Sequence, residues 1–490
     1  MNKYLVFIFS IISIIIPSTK ATLSGDANLY YISKLSDRSI INLPFRMLTL
    51  NYSKNNNKIE FKTSLALEYQ MRENTDFLSD SNIQEFSFDI REFYITYIAK
   101  FGEFSIGKKI HSWGSVDDNS PLDNANSYDY FYLFNGGSDR KLGTYGLSFD
   151  GYTSFGSYGF LFSPLHNTNR LPLEDSAFPV KLPIYPYEHQ ILAFDSMPYE
   201  FGGYSNFNFP YFDIKIVGFS GFDRIFNLSA INVYCKNNNL EAPEVDIVYG
   251  YRRTNTVGGG LTSFIGNLGI RADIGFSSTE DLGSEESIYN RSYYEVREGI
   301  LLYKDNYEIC SKDGINLSYP LQEKSNYIQS NIQFEYTFNN NLSLMAQYFR
   351  YDILSYESNG LPIDESVNIP ATGEINIDDL DPKNLFTPGM GAPISTLGNN
   401  LLLFNINKPF FNEILSLQLS GLLDLSRFSD SNNRGYLIDL ETEYRFNEDL
   451  HFKLGISYIR GNSNHPDGDG YRFNQMEDFS HFRLELEYFF

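Results

Sequence analysis

The chain has 490 residues, a formal net charge of -23 and a mean hydropathy of -0.30, with 37 Tyr and 42 Phe against a single Trp. This acidic balance argues against nucleic acid or an anionic lipid headgroup as partner. A polar average with 16% aromatic residues is unusual for a soluble domain and is expected where half of each strand faces lipid and half faces water.

The first element is a secretory leader. Lys3 supplies its positive end, Leu5 to Ile16 its apolar stretch, Pro17 the break, and Thr19-Lys20-Ala21 the cleavage region. The apolar stretch is shorter than the roughly 20 residues a membrane helix needs. Residues 1–21 are expected to be removed, leaving 22–490 as one domain and taking the charge from -23 to -25 as Lys3 and Lys20 depart. No Cys near the cleavage point suggests lipid attachment, and Cys235 and Cys310 enter an oxidising compartment in which a disulfide between them is open.

From there the pattern has period two. In Lys58–Tyr69, Ile59, Phe61, Leu65, Leu67 and Tyr69 alternate with Glu60, Lys62, Ser64 and Glu68. The pattern returns in 212–216, 268–276, 326–338, 436–446, 451–458 and 481–490, and helical spacing fits none of these. Residues 25–33 and 143–163 are strands with a weaker pattern, and 244–265 reads as one long strand running out of the membrane. Charges such as Glu60, Lys62, Asp439, Glu441 and Arg445 would be prohibitive in a dry core and are ordinary in a wet lumen.

The connections are lopsided. Tight turns are read at 53–57, 99–103, 220–224, 266–267, 338–341 and 446–449. Long connections rich in Asn, Asp, Pro and Gly are read at 112–142, 164–208, 279–325, 353–398 and 461–478. Short turns at one rim and long loops at the other predict an all-β fold. It is a transmembrane antiparallel up-and-down barrel of about 18 strands, with 16 as the alternative, placed in a bacterial outer membrane.

The strands at 91–97 and 104–111 form a hairpin that leads into the loop 112–142. With Phe104, Ile106 and Ile110 facing lipid, Lys109 and His111 share the lumen with Glu92. That placement makes either a charged constriction or a cross-strand ion pair that fixes register. The loop holds Asp117, Asp118, Asp123, Asp129 and Asp139, ends on Arg140 and Lys141, and has Trp113 at its base. Its aromatic run Tyr128, Tyr130, Phe131, Tyr132 and Phe134 wants burial, so the loop is expected to fold inward and narrow the channel.

Arg91, Glu92 and Tyr94, then Gly107, Trp113, Gly114, Asp117, Pro121, Asp123 and Asn126, match a hairpin-loop pattern, and the segment resembles that of several outer-membrane porin and channel families. Lys108 and Lys109 stand where those families carry Arg and Gln, and Ser127 where they carry Pro, so the fork-shaped guanidinium is lost. The resemblance implies a channel or export barrel and does not indicate the solute.

The acidic groups Glu280, Asp281, Glu285 and Glu286, and Asp378, Asp379 and Asp381, lack the spacing of a calcium loop and read as solvated surface. His465 with Asp467 and Asp469 is the best catalytic grouping, in a stretch whose composition is that of a turn. No cofactor or metal is called for. The chain ends on a strand whose apolar face carries Phe482, Leu484, Leu486, Tyr488 and Phe490. Closing against the first strand would leave no edge in lipid. Leu484, Leu486, Tyr488 and Phe490 resemble the C-terminal signature by which such barrels reach the barrel-assembly machinery.

The function expected is passive diffusion of small hydrophilic or anionic-to-neutral solutes through an outer-membrane channel set among lipid and lipopolysaccharide. The constriction residues expected are Arg91, Glu92, Lys109, His111, Trp113, Asp117, Asp118, Asp123, Arg140 and Lys141. The alternatives are a barrel that exports or anchors a polysaccharide and, third, an outer-membrane hydrolase. The sequence leaves the oligomeric state open.

Overall fold

The computed structural model describes residues 20–70, 85–133, 139–172, 186, 190–192, 194, 196–236, 239–283, 307–309, 318–359, 383, 386–426, 434–466 and 468–490. Eighteen strands follow one another round a closed antiparallel barrel. They are β1 Lys20–Lys34, β2 Phe45–Asn55, β3 Ile59–Tyr69, β4 Phe86–Ala99, β5 Gly102–Lys109 and β6 Thr144–Thr153. Next come β7 Gly156–Ser163, β8 Glu200–Asn208, β9 Phe212–Phe222, β10 Arg253–Ile265, β11 Leu268–Glu280 and β12 Lys324–Thr337. The last are β13 Ser343–Glu357, β14 Asn400–Phe410, β15 Leu415–Asp424, β16 Tyr436–Arg445, β17 Leu450–Arg460 and β18 His481–Phe489.

Closure joins the two ends of the chain. β1 pairs β18 from Asp26 opposite Phe489 to Lys34 opposite His481. The terminal residue extends this ladder, with Phe490 N–H donating to the Gly25 carbonyl at 3.0 Å and Gly25 N–H donating back at 2.9 Å. Every strand has a neighbour on both sides, which is the requirement for a sheet surrounded by hydrocarbon. The final Phe belongs to the closing seam.

Alternation decides which side chains meet which medium. Leu29 and Tyr31, Ile95 and Tyr97, Phe104 and Ile106, Ile274 and Phe276, Leu440 and Tyr444 all point outward and are exposed. A continuous apolar exterior of this kind is far larger than the patches soluble proteins show and suits a lipid surround. The eight short connections carry a further apolar feature. Phe101, Phe155, Tyr211, Phe264, Phe338, Phe411 and Phe446 are exposed in or beside them, which forms an aromatic belt at that rim.

Three expectations about strands and connections are corrected. Residues 220–224 are not a tight turn, because β9 ends at Phe222 and a long connection over 223–252 follows. Residues 244–265 are two strands. One belongs to a separate hairpin, Asn227–Lys236 with Asn239–Gly250, and the other is β10. The break falls at Tyr251 and Arg252, where buried Arg252 pairs with Asp223 at 2.6 Å and with Glu323, pinning the chain at the long-loop rim. The loop expected over 164–208 gives up its last part to β8. Gly202 and Gly203 interrupt that strand's apolar alternation, which hid it.

One irregularity positions candidate residues. The β3–β4 register slips between Ser64 and Leu65, leaving Arg91 as an extra residue between Ile90 and Glu92. Such a bulge re-aims side chains. Outward positions run Phe86, Phe88 before it and Ile95, Tyr97 after it, so Arg91 and Glu92 both turn inward.

Candidate functional site

The interior is where polar chemistry gathers. After β5 the chain leaves the wall and crosses to strands six to eight places further round. At the far side Asp273 of β11 accepts three hydrogen bonds through one oxygen. They come from the backbone N–H of Ser115 at 2.8 Å and of Val116 at 3.0 Å, and from the Ser120 hydroxyl at 2.6 Å. On β12, Gln333 accepts from the Asp117 N–H at 2.9 Å and donates to the Asp117 carboxylate at 2.8 Å. Asn331 donates to the Asn119 carbonyl at 2.8 Å. On β13, Gln347 donates to the Asp117 carbonyl at 2.8 Å and accepts from the Asn119 side chain at 3.1 Å. Arg271 of β11 pairs with the Asp117 carboxylate at 2.6 Å.

The seat beneath the loop is made of glycine. Gly258 and Gly260 of β10 and Gly275 of β11 lie on the inward face under Leu122, Ser115 and Pro121. A Cβ at Gly275 would lie 3.3 Å from Pro121, and those at Gly258 and Gly260 would overlap Leu122 and Ser115 outright. On β8, a Cβ at Gly202 would lie 2.6 Å from the Phe219 ring and 3.0 Å from Trp113. The loop can lie this close to the wall because these positions have no side chains.

Nearer β5 the two limbs of the loop are fastened to each other and to the wall. Trp113 is buried beside Tyr204 and Phe219, at 6.0 and 6.2 Å between ring centroids. Asp123 accepts the Trp113 N–H at 3.1 Å and is paired with Lys141, which also donates to the Ser112 hydroxyl at 2.9 Å. Asn126 accepts the His111 N–H at 2.9 Å and donates to its carbonyl at 2.5 Å. Arg91 donates to the carbonyls of Asp139 and Lys141, and Glu92 accepts the Ile110 N–H at 2.8 Å. Arg140 donates to the Asn119 side chain at 3.3 Å and lies 3.7 Å from Asp118.

Further along, buried Asp129 and Glu68 meet Arg170 at 3.1 and 2.8 Å, while Arg46 stacks 3.7 Å from the centre of the Tyr132 ring. Burial raises the Asp129 carboxyl to about 6 against the lowering pull of Arg170.

Among the residues named from sequence, Arg91, Glu92, His111, Trp113, Asp123, Arg140 and Lys141 are placed among the loop's fastenings. Lys109, Asp117 and Asp118 are more open to the lumen. Lys109 pairs with Asp150 at 3.3 Å and not with Glu92. Leu484, Leu486, Tyr488 and Phe490 line the outer face of the closing seam. Asp281, expected at the solvated surface, is buried and accepts from the Ser229 hydroxyl at 3.0 Å. His465 stacks on Tyr471 at 3.7 Å. Residues 1–19, Phe134, Glu285, Glu286, Cys310, Asp378, Asp379, Asp381 and Asp467 lie outside the described residues, as do the side chains of Lys20, Cys235 and Asp469. Among the described residues no group of His, Cys, Asp and Glu is arranged to hold a metal ion.

Sequence reasoning missed the far-side anchors Asp273, Asn331, Gln333 and Gln347. Their signal was a run of inward positions occupied by an acid and large amides. It also missed a second inward segment. The Met390 carbonyl accepts from Tyr327 at 3.3 Å and from Gln329 at 3.2 Å, and Tyr130 donates to the Pro393 carbonyl at 3.4 Å.

No family model matches the chain, and no curated relative matches it. Solved structures match it over nearly its whole length. The outer membrane protein OpdK of Pseudomonas aeruginosa is 10% identical with a TM-score of 0.47, covering 96% of this chain and 99% of that one. OccAB3 of Acinetobacter baumannii is 10% identical at 0.44, covering 96% and 99%. OmpT of Vibrio cholerae, in its trimer form, is 9% identical at 0.38, covering 96% and 100%. Likenesses at this level carry no argument about solute or mechanism.

Proposed function

We propose that the protein is an outer-membrane channel for passive diffusion of small hydrophilic solutes, narrowed by the loop between β5 and β6. The observation that carries this reading is the set of polar bonds from Ser115, Val116, Asp117, Asn119 and Ser120 to β11, β12 and β13. They hold the loop within the barrel, across from the strand it leaves. Further round the wall, charged side chains of β16, β17 and β18 face the same interior. Wide barrels with polar interiors are water-filled unless plugged, and this loop divides the interior.

In this reading the leader is removed near Ala21, the apolar belt lies in lipid, and the longer loops meet lipopolysaccharide. Leu484, Leu486, Tyr488 and Phe490 serve recognition by the assembly machinery. The test is a planar-bilayer recording of the purified mature chain. Steady ohmic current supports the channel. A folded barrel that passes no current would overturn it and favour a structural or exporting role.

A further inference from the structure

The inward face of β16, β17, β18 and β1 carries an ion-pair lattice in which carboxylates outnumber cations. Arg483 donates to both oxygens of Asp439, at 3.0 and 3.1 Å, and also pairs with Glu441. Lys453 lies 2.6 Å from Glu487 and 3.9 Å from Glu485. Arg445, at the rim, pairs with Glu443 at 3.0 Å and Glu413 at 3.6 Å. Each of these cations is therefore shared between two carboxylates. Asp26, on the inward face of β1, is met by the Asn28 amide at 3.1 Å. The same ratio recurs on the loop side of the lumen. There Arg271 lies 2.6 Å from Asp117 and 3.7 Å from Glu335.

We propose that the passage selects for cations, and among organic solutes admits those bearing amino or guanidino groups ahead of carboxylates. The proposal rests on the channel reading above and concerns permeation, with no binding site implied. Neighbouring strands lie about 4.8 Å apart and alternate residues on one strand about 6.7 Å apart. The carboxylates of each set thus lie within a screening length of one another and face the lumen as one patch of negative charge. A narrow passage lined by one sign of charge raises the local concentration of the opposite ion. At Arg483, Lys453, Arg445 and Arg271 an incoming anion instead meets cations already held by two acids each.

The test is the reversal potential of the native protein in asymmetric KCl, followed by exchange of K+ for argininium on one side. The expected K+/Cl- permeability ratio is about three or more, since much of the negative charge is paired, and argininium should carry current. The double variant Glu441→Gln with Glu485→Gln leaves Arg483 with Asp439 and Lys453 with Glu487 and does not touch the pairs of Arg445, so the lattice and the barrel persist. Its ratio should fall by about half or more toward unity. Glu280→Gln, exposed at the long-loop rim, should leave the ratio unchanged. Ohmic current with a native ratio at or below one overturns the inference while leaving the channel standing. So does a ratio the double variant does not move, measured on protein that still shifts on heating in gel electrophoresis. Absence of current removes the channel reading itself, and this inference with it.

Discussion

Replacing Asp273 by Ala removes the acceptor of three hydrogen bonds at 2.8, 3.0 and 2.6 Å that tie the loop to β11. Hydrogen bonds to a charged acceptor contribute about 1.5–3 kcal/mol each. Three of them bound the loss at roughly 5–9 kcal/mol. Water in the lumen would rehydrate part of the freed N–H and O–H groups, so the net weakening of this anchor is about 3–5 kcal/mol. Each 1.4 kcal/mol is a tenfold change in population. The segment 115–120 should then leave its seat roughly two to three and a half decades more often, held back by Gln333, Gln347 and Asn331. The barrel ladder is untouched, so the heat-dependent gel shift should be native. Single-channel recording should show a larger mean conductance, or excursions to a larger level. Asp273→Asn is the control, because it removes the same charge and keeps an oxygen acceptor. Its change should be clearly smaller. Native traces from both variants would refute the tether, and equal changes from both would assign the effect to charge alone.

Asp117→Lys with Asp118→Lys should shift the reversal potential toward anions, and the shift should persist near 1 M KCl, where the screening length is about 3 Å; a shift lost at high salt would place these groups away from the passage. Deleting Phe490, or replacing it by Asp, removes the seam pairing with Gly25 or puts a charge on its lipid face. The yield of heat-modifiable barrel should drop severalfold, and normal assembly would count against the role given to the seam. Burial raises the Asp129 carboxyl to about 6 from an ordinary 3.8. A raised value means its stabilising contribution is fully present below about 3.8 and lost as pH rises through 6. Hydrogen-exchange protection at the Tyr130 and Tyr132 amides should therefore increase from pH 7 to 4 in the native chain, and Asp129→Asn should abolish that trend. Gly275→Val should press on Pro121 and Leu122, which lie 3.3 and 3.7 Å from a Cβ at that position, and raise conductance with no change of charge; a native trace from folded protein would exclude the close-seat model.

The barrel was legible because its signal is repeated. Each strand such as 326–338 or 481–490 states the same two-sided environment, and a register error would turn every apolar residue inward. One strand of the wall, β8, was less legible. β8 carries Gly202 and Gly203, and Gly202 serves the space needs of Trp113 and Phe219 rather than the alternation. The turn expected at 220–224 has turn composition, and its Asp and Arg are used instead in buried pairing. Asp223 holds Arg252, and Arg224 donates to both oxygens of Glu200 at 2.8 and 2.9 Å. The aromatic run and Trp113 implied an inward loop. Which residues would fasten it did not follow, because Asp123 and Lys141 are 18 residues apart and Asp117 and Gln333 are 216 apart.

The glycine seat shows how sequence, packing and function connect here. In "TVGGGLTSF", residues 256–264, the glycines look like a weak strand interior, since glycine there costs conformational entropy and offers nothing to pack. The neighbouring ladders supply what glycine lacks. Gly258 is paired with Val217 and Gly275, and Gly260 with Lys215 and Asp273. The strand is therefore held by main-chain bonds on both edges and needs no side chains inward. The vacated volume is filled from the loop by Leu122 and Ser115, and Leu122 is fully buried as a result. Burying a leucine contributes about 1.5–3 kcal/mol, comparable with one of the hydrogen bonds to Asp273. The loop is thus held by shape as well as by polar bonds, and the two act on adjacent strands. Weakening either should move the same segment in the same direction, whereas charge changes on β16–β18 should alter which ion passes without moving the loop.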